Sequence, residues 1–112
     1  MYIAPHVLNV KIKNDSNGIV RGVELAYLND IGRKARISKV KSGDYTNIII
    51  VTKGIEQKNK LILKLRSGKT FEINEEVMEN PIDYVLQIDI KKFDEANMEF
   101  ETKYIKYEDA IA

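Results

Sequence analysis

In PIDYVLQIDI, residues 81–90, apolar side chains recur at every second position. Ile82, Tyr84, Leu86, Ile88 and Ile90 share one face against Asp83, Gln87, Asp89 and the following Lys91, with Val85 the exception. A period of two buries one face of a strand and scatters its apolar side chains around a helix. Pro81 suits the first position of that strand, where no ladder donor is missed. The pattern recurs along the chain. Leu8, Val10 and Ile12 alternate with Asn9, Lys11 and Lys13. Leu61, Leu63 and Leu65 face one side, while Lys58, Lys60, Lys64 and Arg66 face the other with Ile62 among them. After a turn at DEAN (94–97), Met98, Phe100, Thr102 and Tyr104 line one face of a last strand, and residues 107–112 suit a final turn.

The intervening segments are less regular. NDSNG (14–18) is a turn cluster whose Asn17-Gly18 tolerates positive φ, and it predicts a hairpin into Ile19–Leu28. Residues 22–35 fit either a strand or a helix; a strand to Leu28 is favoured because no N-cap residue precedes the run. RKARISKVK (33–41) reads as a poorly alternating strand followed by a turn at SGD. Tyr45 to Thr52 carries IIIV and is expected to be a strand covered on both faces. A three-residue SGK loop with left-handed Gly68 would set Leu65 opposite Phe71, Leu63 opposite Ile73 and Lys64 against Glu72. A two-residue SG loop would put Lys64 opposite Phe71 and flip one strand's faces, so the apolar pairing selects three. Seven or eight short strands, with at most one short helix, predict a mainly β domain spanning residues 1–112, an antiparallel barrel or sandwich.

Composition narrows the function. A chain of 112 residues, 44% apolar and 31% charged, suits one ordered domain with a modest core. Formal charge is +1, so nucleic-acid binding requires cations sorted onto one face. The absence of cysteine excludes disulfides, thiolate zinc sites and a cysteine nucleophile. No apolar run approaches the ~20 residues that span a bilayer, and Asn9 and Lys11 interrupt any leader pattern in residues 1–12. The expectation is a cytoplasmic protein without membrane contact. No phosphate-loop, dinucleotide or nucleophile-elbow motif is present. His6 is the single histidine, too few for a histidine metal site within one chain, and it has no visible catalytic partner. Glu75, Glu76, Glu79 and Asp83 cluster around Asn80-Pro81 without calcium-loop spacing and read as a charged loop. No enzymatic activity, catalytic residue, metal or cofactor is therefore expected.

The basic residues are the binding candidates. Arg33, Lys34, Arg36, Lys39 and Lys41 form one run; Lys58, Lys60, Lys64, Arg66 and Lys69 form a second. If the two segments lie side by side, they make a groove for a phosphate backbone, with Tyr45 available to stack on a base. The plainer alternative is that these cations are the wet side of strands, where lysine discourages edge pairing. Six tyrosines without tryptophan suit several kinds of interface.

FEINEEVMENP (71–81), KYIKYEDAIA (103–112), RGVELAY (21–27) and the position of Tyr45 together resemble a family of small proteins of Gram-positive conjugative elements. That family takes in helicase-processivity factors of integrative elements and PrgU-like regulators of pheromone-responsive plasmids. The likeness spans about two thirds of the chain, chiefly its second half; here the glutamate precedes Leu25 rather than following it. The resemblance implies a PUA-like or OB-like barrel without enzymatic activity, acting in conjugation or in control of its genes. Its partner would be RNA in one branch and a helicase working on DNA in the other. A protein-interaction module of immunity or inhibitor type is the alternative outside that family.

Overall fold

The computed structural model describes residues 7–28, 30–37, 39–51, 60–73 and 84–106. These contain eight strands: β1 (Val7–Asn14), β2 (Val23–Tyr27), β3 (Asp30–Ile37), β4 (Tyr45–Val51), β5 (Leu61–Lys64), β6 (Thr70–Glu72), β7 (Tyr84–Phe93) and β8 (Met98–Lys106). They form two four-stranded sheets, a first in the order β4-β1-β7-β8 and a second in the order β3-β2-β5-β6. The fold is mainly β, with no helix among the described residues. The hydrogen-bonded ladders do not close into a barrel among those residues. His6, Lys58, the acidic cluster around Asn80-Pro81 and residues 107–112 lie outside the described residues.

Alternation is what divides core from solvent. Leu8, Val10 and Ile12 of β1 face inward beside Leu86, Ile88 and Ile90 of β7. From the second sheet come Val23, Leu25 and Tyr27 of β2, with Leu61, Leu63 and Leu65 along β5 and just beyond it. All belong to one apolar cluster shared by the two sheets. Burying each such side chain is worth ~1.5–3 kcal/mol, so a one-residue slip of any central strand would cost many times that. This settles residues 23–27 as strand. Val23, Leu25 and Tyr27 all enter the core, and β2 pairs with β3 on one side and β5 on the other.

Four expectations are corrected. First, NDSNG turns the chain but makes no hairpin: β1 pairs with β4 and β7, and β2 belongs to the other sheet. Buried Asn14 is the reason. Its amide nitrogen donates to the carbonyls of Gly18 and Val40, at 2.8 and 2.9 Å, and its oxygen accepts from the Ser16 amide at 2.9 Å. That ties the turn to Val40, which bridges Val20 and delivers β2 to the second sheet. Second, β1 and β7 run parallel, so the fold is not purely antiparallel.

Third, β4 is an edge strand rather than one covered on both faces, and Ile49 and Val51 are 41% and 47% exposed. Fourth, the β5–β6 loop has three residues and a left-handed Gly68 (φ 97°), but it comprises Arg66, Ser67 and Gly68. Leu65 N donates to Lys69 O at 2.8 Å, and Leu63 faces Phe71. Lys64 consequently faces Thr70, not Glu72. The register moves by two residues, which preserves both faces and still seats Leu65 in the core.

Candidate nucleic-acid interface

The outer face of the second sheet is set by a register break between β2 and β3. Tyr27 faces Asp30 and Ala26 faces Lys34, so β3 advances four residues while β2 advances one. An odd offset exchanges the faces of the outgoing strand. Beyond it Ile37 turns into the core, while Lys34 and Arg36 project outward beside Ala26 and Glu24. On the other flank of β2, Glu24 faces Lys64 and Ala26 faces Ile62. The result is a cross-strand row of Arg36, Glu24 and Lys64.

Side-chain length makes this surface concave. Short residues, Gly22 and Ala26, stand on either side of Glu24 along the central strand. The flanking segments carry long cations, Lys34 and Arg36 on one side and Lys64 and Arg66 on the other. Together they enclose a trough of about 650 Å³ whose floor includes Gly22, Val23 and Glu24. Gly22 has φ of 72°, and a Cβ there would stand 3.1 Å from Arg66 Nε. The bare backbone thus lets Arg66 lie against it.

Four cations line the trough against one carboxylate, a local excess of three positive charges in a chain whose net charge is +1. Arg36 Nε donates to Glu24 Oε1 at 3.1 Å. The arginine side chain is 77% exposed and the glutamate 26%, so the pair is worth ~1 kcal/mol at most. Lys34, Lys64 and Arg66 have no ion-pair partner among the described residues.

The remaining candidates do not join them. Lys39 and Lys41 are exposed on either side of buried Val40 in the β3–β4 connection, away from the trough. Lys60 pairs with Glu72 at 3.8 Å. Lys69 donates to Asn97 Oδ1 at 3.0 Å and lies 5.3 Å from the centre of the Phe71 ring. Tyr45 belongs to β4 of the first sheet, where Lys11 Nζ sits 4.5 Å from its ring centre. It is therefore not the stacking partner of this surface. Arg33 falls in the register break, and its side chain, like Lys58, lies outside what the structure describes. Glu24 and Gly22 were not among the candidates from sequence. Alternation in VELAY does put Glu24 and Ala26 on one face, but nothing in it reveals that basic strands flank both sides.

No family model matches the chain, and no curated protein matches it. The NMR structure of a protein from Eubacterium rectale is similar, with a TM-score of 0.47 and 15% sequence identity, over 91% of this chain and 89% of that one.

Proposed function

We propose that this chain is a non-enzymatic nucleic-acid-binding protein that holds single-stranded RNA in the trough between β3 and β5. On this reading it serves as an accessory or regulatory protein of a conjugative plasmid or integrative element, as the resemblance of residues 71–81 and 103–112 implies. The two sheets are then an open form of the PUA-like or OB-like barrel expected of that family. One observation carries the proposal: Lys34, Arg36, Lys64 and Arg66, two from each basic run, converge on one concave surface with a single acid among them. A phosphodiester backbone along the trough would meet cations on both walls, which supports binding without a strongly basic protein.

Filter binding of single-stranded RNA and DNA between about 50 and 200 mM salt tests it. Contact with three or four phosphates predicts a log–log salt slope of roughly −2 to −3. The double substitution Lys34→Glu/Arg66→Glu should weaken binding more than about tenfold. Absence of binding at the lower salt, or an unchanged affinity in the double variant, removes the proposal. A second reading, a protein-interaction module or a partner of a DNA helicase, is favoured by edge strand β4. It exposes Tyr45, Ile49 and Val51 and carries no charged residue. A stoichiometric protein complex that survives high salt and nuclease, and is lost in Ile49→Lys, would favour that reading.

A further inference from the structure

A site that held only phosphate would gain nothing from Glu24, whose charge opposes the ligand. Its carboxylate nonetheless lies on the trough floor, three-quarters buried, between Arg36 and Lys64. We propose that Glu24 reads a base: the trough selects guanine, whose N1–H and N2–H donate side by side to the two carboxylate oxygens. This rests on the nucleic-acid reading above and names the specificity of that same site.

The chemistry follows from what the floor and walls each accept. An ionised carboxylate only accepts hydrogen bonds. Arg36 occupies one lone pair of Oε1, and no described residue donates to Oε2. The walls, Lys34 and Arg36 facing Lys64 and Arg66, repel a cationic donor such as a lysine or arginine side chain. The preferred occupant is therefore anionic at its flanks and a neutral double donor at its centre. Among the nucleobases, guanine alone presents two adjacent N–H donors on one edge. Adenine and cytosine offer an exocyclic amine next to a ring-nitrogen acceptor, and uracil offers one N–H between two carbonyls, so each sets a lone pair against the carboxylate. Single-stranded nucleic acid is the form whose Watson–Crick edge is open to such reading. The volume, about 650 Å³, lies within the ~300–1,000 Å³ of small-ligand sites, so a nucleotide can enter base-first. Arg66, laid against the bare backbone of Gly22, presents a planar guanidinium at one end of the trough for stacking.

Fluorescence anisotropy with uridine octamers carrying one central G, inosine, A, C or U tests the inference. Guanine should bind about tenfold more tightly than uracil, with inosine, which lacks the N2 amine, losing most of that gain. Glu24→Gln should erase the preference while keeping a steep salt dependence and an affinity for the all-uridine octamer at least as high. Equal affinity for all five octamers, or a guanine preference that persists in Glu24→Gln, overturns this inference and leaves the nucleic-acid reading intact. No salt-dependent binding of any octamer overturns both.

Discussion

The outer faces of the two sheets are built from the same alternating pattern and both carry cations, yet only the second gathers four of them around a trough. On the first sheet Lys13 and Lys92 meet acids across the strands, while Lys11 and Lys103 flank Gln87. Lys13 faces Asp89, which faces Glu101, and Lys92 faces Glu99 at 3.8 Å. Asp15 takes Lys13 at 3.7 Å and Lys91 at 3.2 Å. On the second sheet Lys34 faces Ala26, Lys64 faces Glu24 and Thr70, and Arg66 lies over Gly22. One acid serves a row of two cations there, and small residues stand where the first sheet puts carboxylates. Charge becomes available to a ligand through what stands opposite it, rather than through its density along the chain.

The sharpest way to break this comparison is to fill the small positions. Gly22→Ala puts a Cβ at φ 72°, 3.1 Å from Arg66 Nε, and should cost about 1 kcal/mol of stability in urea unfolding. It should also weaken RNA binding by displacing Arg66. If both affinity and stability match the parent, the close packing of Arg66 on Gly22 is not formed.

A milder change copies the first sheet's pattern onto the second. Thr70 is exposed and faces Lys64 from the side opposite Glu24, so Thr70→Glu gives that lysine a second cross-strand acid. The salt slope of RNA binding should fall by about one unit with little change in stability. Asp89→Asn on the first sheet should leave binding as it was, because Glu101 and Asp15 remain beside the same lysines. A gain of RNA affinity in Asp89→Asn would show that pairing does not separate the two faces.

The smallest effect concerns Lys91. The hydrogen bond to Asp15 raises its pKa above the ordinary lysine value, aided by the nearby charges of Asp15, Glu101 and Asp89 and opposed by partial desolvation. A raised lysine pKa means that the stabilisation is complete below the unfolded value of ~10.4. It is lost as pH rises through the higher folded value. The difference in melting temperature between the parent and Lys91→Met should thus hold steady from neutral pH to about 10 and shrink above it. A difference that stays constant through that range would mean the Asp15 contact is absent.

Much of this was legible along the chain. Leu8, Val10 and Ile12, the Leu61–Leu65 series, Leu86 to Ile90, and Met98 onward announced strands and their inward faces, because period-two burial is a local property of the backbone. Gly68 and the turns at residues 14–18, 42–44 and 94–97 were equally plain, since left-handed φ and Asx geometry depend on residue type. The trough was half legible. Both basic runs contributed to it, but of the candidates only Lys34, Arg36, Lys64 and Arg66 line it.

What alternation cannot specify is the neighbour. It assigns each side chain to one of two faces and says nothing about which strand lies beside it. Asn14 reaching Val40 sent β2 away from β1, and the odd offset between β2 and β3 turned Lys34 and Arg36 outward. The pairing of β2 with β5 then brought Lys64 to the other side of Glu24. For β1, β5, β7 and β8, strand identity and inward face came from sequence, because each depends on residues a few positions apart. The meeting of four cations around one carboxylate came from tertiary pairing, because it joins three separate segments whose relative register no local pattern encodes.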